Sequence, residues 1–128
     1  MLRFISHVQL PVPDVAQAVE WYVTHLGFTL EVHHAQVDAL LNLDSGPTLF
    51  LWQTQDAIQP FTVNGQPFPT LGVEVSGLTA LHDQLAATGT TVPEVEDTPS
   101  GWIMRFFDPY GNLWIACEDH PSSQNASA

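Results

Sequence analysis

Apolar positions along this chain change period several times, and each change marks an element. Phe4-Ile5-Ser6-His7-Val8-Gln9-Leu10 alternates loosely, as a half-buried strand does, and Pro11-Val12-Pro13 breaks the run. Asp14 is a good N-cap. Val15, Ala18, Val19, Tyr22 and Leu26 then recur at helical spacing, so a helix is expected to about His25, with Gly27 stopping it as a C′ residue. Strands are expected at 28–33, 37–43 and 48–53. Residues 54–69 hold three prolines and a glycine and read as a linker. The pattern then returns, with a strand at 70–76, a helix at 78–88 and strands at 91–96, 102–107 and 113–118. The small polar residues of 121–128 are expected to form a disordered tail.

The return of the pattern is accompanied by local echoes. His7-Val8-Gln9-Leu10, the helix from Asp14 and Leu26-Gly27 resemble Thr70-Leu71-Gly72-Val73, the helix from Leu78 and Thr88-Gly89. Leu43-Asp44-Ser45-Gly46, ahead of a strand, resembles Phe107-Asp108-Pro109-Tyr110-Gly111-Asn112, which composition makes a tight hairpin turn. A repeat of roughly 60 residues suits two fused half-domains better than a solenoid. The domain is therefore expected to span 1–120, with module one at 1–53 and module two at 70–120. Each module reads β-α-β-β-β, and its one helix covers one face of its strands. The bare second face favours pairing of two modules. The fold class expected is α+β, two βαβββ modules pairing into a half-open barrel around a cleft.

Composition narrows the functions. At 128 residues and 45% hydrophobic content the chain suits one domain with a proper core. No apolar run approaches the ~18 residues of a membrane span. The N-terminus lacks a signal peptide's long apolar stretch, and Cys117 as the single cysteine leaves no internal disulfide. A cytoplasmic location is expected, with no membrane partner. The 14 acids, two arginines (Arg3 and Arg105) and absent lysines give a formal charge of −12. Nucleic acid is therefore excluded as a partner, because phosphate binding needs a basic surface. The ordinary reading of the acidity is solubility. The sharper one is a cavity that attracts cations.

The His7 strand, Pro11-Val12-Pro13-Asp14-Val15 ahead of a helix with Trp21-Tyr22, Leu26-Gly27-Phe28, and Phe107-Asp108-Pro109-Tyr110-Gly111-Asn112-Leu113 together resemble the vicinal oxygen chelate superfamily. That group includes glyoxalases, extradiol dioxygenases and the fosfomycin- and bleomycin-resistance proteins. The resemblance covers 4–119. In its metal-dependent members four cleft positions supply ligands, and they fall here on His7, Phe50, Thr70 and Ile115. Only His7 is a good ligand, whereas a catalytic ion needs about three. The resemblance therefore implies no metal, no cofactor and no catalytic residue. Glu74 and Cys117 share the faces of Thr70 and Ile115, so a displaced site with His7 stays open as the alternative: a lyase, isomerase or dioxygenase. Glu118 points to the opposite face by strand alternation, and at most one of His33 and His34 faces the cleft.

With Phe50 and Ile115 in place of carboxylates the cleft becomes apolar. Trp52, Leu113 and Cys117 share those faces, and Trp102, Phe61 and Phe68 are expected to reach the same space. His7, Phe50, Trp52, Thr70, Trp102, Ile115 and Cys117 are the expected ligand-binding residues. Thr48-Leu49-Phe50-Leu51 with Gln53 and Asp56, and Pro99-Ser100-Gly101-Trp102, resemble the bleomycin-resistance proteins in particular. The expected function is sequestration, without chemistry, of a planar or cationic aromatic small molecule by a homodimer. A degenerate regulatory domain, acting through its dimer surface, is a third possibility.

Overall fold

A computed structural model describes residues 1–121; residues 122–128 of the expected tail lie outside the described residues. The backbone forms two compact units, one running from Met1 to Ile58 and the other beginning at Gln59.

The first unit runs β1 (His7–Val12), α1 (Val15–Leu26), β2 (Thr29–His34), β3 (Asp38–Asn42) and β4 (Thr48–Gln53). Its sheet has the order β1-β4-β3-β2, with β1 parallel to β4 and the other pairs antiparallel. Alternation sends Leu10, Val12, Ala39, Leu41, Leu49 and Leu51 to the helix side, where they are buried along with Val15, Ala18, Val19 and Tyr22 of α1. Asp14 accepts from the Gln17 N–H at the start of α1, and Gly27, at φ 76°, ends the helix in the left-handed conformation.

The second unit opens with a two-strand hairpin, β5 (Thr62–Val63) and β6 (Gln66–Pro67), inside the segment expected to be plain linker. Its turn is Asn64-Gly65, both at positive φ (51° and 79°), the pair that a tight hairpin selects. Next come β7 (Leu71–Glu74), α2 (Leu78–Ala87), β8 (Glu96–Thr98), β9 (Gly101–Phe107) and β10 (Leu113–Glu118). The order β7-β10-β9-β8 repeats that of the first sheet, again with the outer first strand parallel to the last. The strand expected at 91–96 is corrected to three residues, Glu96–Thr98. Pro93 has no N–H to give a ladder, and pairing with β9 begins only at Glu96. In the β9–β10 turn Asp108 is 3% exposed and accepts from the N–H groups of Tyr110 and Asn112 and from the Asn112 side chain. That carboxylate explains why the turn is tight.

The two modules share a further device. β1 pairs His7 with Thr48, and the Thr70 N–H donates to the Leu113 carbonyl, so Gln53 and Glu118 are corresponding ends of β4 and β10. Gln53 Oε1 accepts from the first helical N–H of α1, at Val15. Glu118 accepts from Gly77 and from the first helical N–H of α2, at Leu78. α1 has its own capping side chain in Asp14. Gly77 has none, so the carboxylate of β10 takes both orphan donors. The fold is thus α+β, two βαβββ modules with the same strand order and the same strand-end capping. Among the described residues no helix is long and apolar enough to cross a membrane.

Candidate functional site

In each module the helix covers one sheet face, and the candidate residues other than Trp102 lie on the other. On module one, the alternation that buries Leu49 and Leu51 leaves Thr48, Phe50 and Trp52 on the open face of β4. Beside them β1 presents His7 and Gln9. The His7 and Phe50 rings lie 4.8 Å apart, and those of Phe50 and Trp52 6.2 Å apart. Trp52 is 40% exposed, and its Nε1–H donates to Gln9 Oε1 at 2.8 Å. That bond leaves the indole face presented but stops it from rotating. His7 Nδ1 lies 2.8 Å from Ser6 Oγ.

A polar chain borders this aromatic row. Thr48 Oγ1 donates to Asn42 Oδ1 at 2.7 Å, and Asn42 Nδ2 donates to Glu31 Oε2 at 2.9 Å. Glu31 falls where the β2–β3 register shifts, so the irregularity sets its direction. His7, Phe50 and Trp52 are therefore brought together as expected. Gln9 was not among the expected residues, although its alternation with His7 places it on the same face.

On module two the open face carries Ile115 and Cys117 of β10, Arg105 and Ile103 of β9, and Gly72 and Glu74 of β7, paired in register. Thr70 precedes β7, exposed. Ile115 stands to Thr70 as Phe50 stands to His7, two residues past the position that pairs with the first strand. Trp102 needs correction. It pairs with Glu118, so it lies on the opposite face from Ile115 and Cys117. Its ring meets His120 edge-on at 4.4 Å, and His120 Nε2 is 2.8 Å from both Asp97 Oδ1 and the Thr98 carbonyl. Phe61 and Phe68 pair with each other at 5.8 Å.

Burial pushes the Cys117 thiol above its ordinary pKa, and the negative charges of Asp119 and Glu74 push it further the same way. It is a protonated, weakly reactive thiol at neutral pH. The four positions that the resemblance assigns to metal ligands, His7, Phe50, Thr70 and Ile115, hold an imidazole, a phenyl ring, a hydroxyl and a butyl group. Phe50 puts hydrocarbon against His7, where a second donor would have to stand. Within either module no three His, Cys, Asp or Glu side chains among the described residues gather at metal-binding distance. This donor set does not fit a divalent ion, which takes about three protein ligands in an open catalytic site.

The family model described as glyoxalase/bleomycin resistance protein/dioxygenase superfamily matches residues 4–115. Among solved structures, the glyoxylase/bleomycin resistance protein/dioxygenase domain from Frankia sp. EAN1pec is 22% identical at TM-score 0.76, covering 100% of both chains. The fosfomycin resistance protein FosX from Listeria monocytogenes is 11% identical at TM-score 0.77, covering 97% of this chain and 99% of its own. TnmS3, an antibiotic binding protein from Streptomyces sp. CB03234, is 21% identical at TM-score 0.73, covering 93% and 98%. At these identities the likeness is one of fold. A comparison with curated proteins found no match.

Proposed function

Because this chain belongs to the glyoxalase/bleomycin resistance protein/dioxygenase superfamily, we propose that it is one of the superfamily's binding proteins, taking up a planar aromatic small molecule, neutral or cationic, without a metal ion. The observation that carries this is the aromatic row His7–Phe50–Trp52 on the open face of module one. Three flat groups on adjacent strands offer apolar area and π-faces, which a conjugated ligand matches by stacking. The Trp52–Gln9 hydrogen bond holds one of them ready, so little ordering is left to occur on binding. The carboxylate of Glu31 and the −12 charge favour a cation over an anion here. The likeness to TnmS3 supports an antibiotic-like ligand. The exposed Leu2, Phe4 and Ile5 ahead of β1 support a homodimer, which sedimentation equilibrium tests directly.

The reading is tested by titrating the protein with proflavine, a planar cation, and following tryptophan fluorescence. Saturable binding is expected, weakened about tenfold by Phe50→Ala through loss of ring stacking and apolar area. Absence of binding below about millimolar concentration, where affinity is only ~4 kcal/mol, removes the reading, as does binding indifferent to Phe50. Metal analysis of protein purified without chelator complements it. Near-stoichiometric transition metal that His7→Ala abolishes would instead support a metal-dependent enzyme built on His7.

A further inference from the structure

Module two carries a cation where the chain's composition makes one scarce. Arg105 is one of two fixed positive side chains in a protein with 14 acids. It is exposed on β9, on the open sheet face, in register with Ile115. Its guanidinium lies over the Phe68 ring, 5.1 Å from the centroid. The described residues contain ion pairs at His34, His82 and His120 and none at Arg105. Two acids share its face, Glu74 opposite Cys117 and Glu96 opposite Ile103, one step further along the ladder. Neither forms a bridge to it.

The duplication shows what this position would hold otherwise. In module one Leu40 pairs with Phe50 as Arg105 pairs with Ile115 in module two. An apolar side chain thus satisfies the fold there, and the arginine serves something else. Ring contact restrains the guanidinium while its N–H groups remain available to an acceptor. Ile115 is the neighbour of Arg105 on the next strand, and Gly72 beyond it adds no side chain, so the floor past Ile115 is low.

We infer that Arg105, restrained by Phe68 and beside Ile115, is an anion anchor: it receives the carboxylate or comparable oxyanion of a small molecule whose apolar body lies on Ile115. The guanidinium fork matches two carboxylate oxygens at once.

The test compares two probes of one shape, 2-naphthoate and the uncharged 2-naphthamide, by calorimetric titration at low salt. The wild-type protein is expected to bind the naphthoate about tenfold or more tightly than the amide, as a charge-assisted hydrogen bond allows. Arg105→Gln should abolish the preference while leaving amide binding unchanged. Arg105 is exposed, so a thermal midpoint matching the wild type checks that the variant folds. Equal affinity for the two probes, no binding of either, or a preference that survives Arg105→Gln overturns the inference.

Discussion

At the scale of single residues, chemistry depends on what surrounds a group more than on its type. Cys117 is the only thiol in the chain and lies on an open sheet face, yet desolvation and the Asp119 and Glu74 carboxylates hold its proton on. Alkylation by iodoacetamide at pH 7 is expected to be slower than that of free cysteine, and Glu74→Gln is expected to speed it. A rate at or above the free thiol's would contradict the surroundings described. Strand alternation alone puts Trp52 with Phe50 and Glu118 away from Ile115, and the structure agrees. Trp102 was expected to reach the cleft from the start of its strand, where nothing local said which way it would face. Its pairing with Glu118, sixteen residues on, settles the direction. The hydrogen bond from Trp52 to Gln9 spans 43 residues and has no sequence signal beyond a shared face.

At the scale of elements, the helices and the last hairpin were legible because their signals are local: helical spacing, Asp14, Gly27, and the Asp108-to-Asn112 turn. The Asn64-Gly65 pair was an equally local signal for the small hairpin, obscured by the surrounding prolines. The start of α2 was different. Gly77 has no capping side chain, and the cap comes from Glu118 in β10. The two backbone N–H donors favour the ionised carboxylate and hold its pKa below the usual glutamate value. Because the folded pKa lies below the unfolded one, this stabilisation is present above the ordinary glutamate pKa of about 4.3 and is lost as pH falls through the folded value. Glu118→Gln keeps an acceptor but not the charge. Its denaturant midpoint should lie below the wild type's at pH 7, and the difference should shrink as pH falls below about 4. A difference constant with pH would mean that the charge contributes nothing to the cap.

At the scale of the whole molecule, a charge of −12 on 128 residues opposes compaction. Raising ionic strength from about 0.01 M to 0.15 M shortens the screening length from about 30 Å to about 8 Å. The thermal midpoint should rise, by about 2–8 °C if screening returns about 1 kcal/mol. A midpoint indifferent to sodium chloride would show that the acids are spaced widely enough not to repel.

The repeated βαβββ order, the apolar positions of the helices and the shared face of Phe50 and Trp52 were readable from the chain. They follow from periodicity and turn chemistry, which act over a few residues. Which side chains actually meet was not readable: Gln9 with Trp52, Gln53 with α1, Glu118 with α2, Arg105 with Phe68. Those contacts depend on the register of each sheet's own ladders, β1 parallel to β4 in one and β7 parallel and β9 antiparallel to β10 in the other, and a slip of one residue would turn the slipped strand's side chains to the other face.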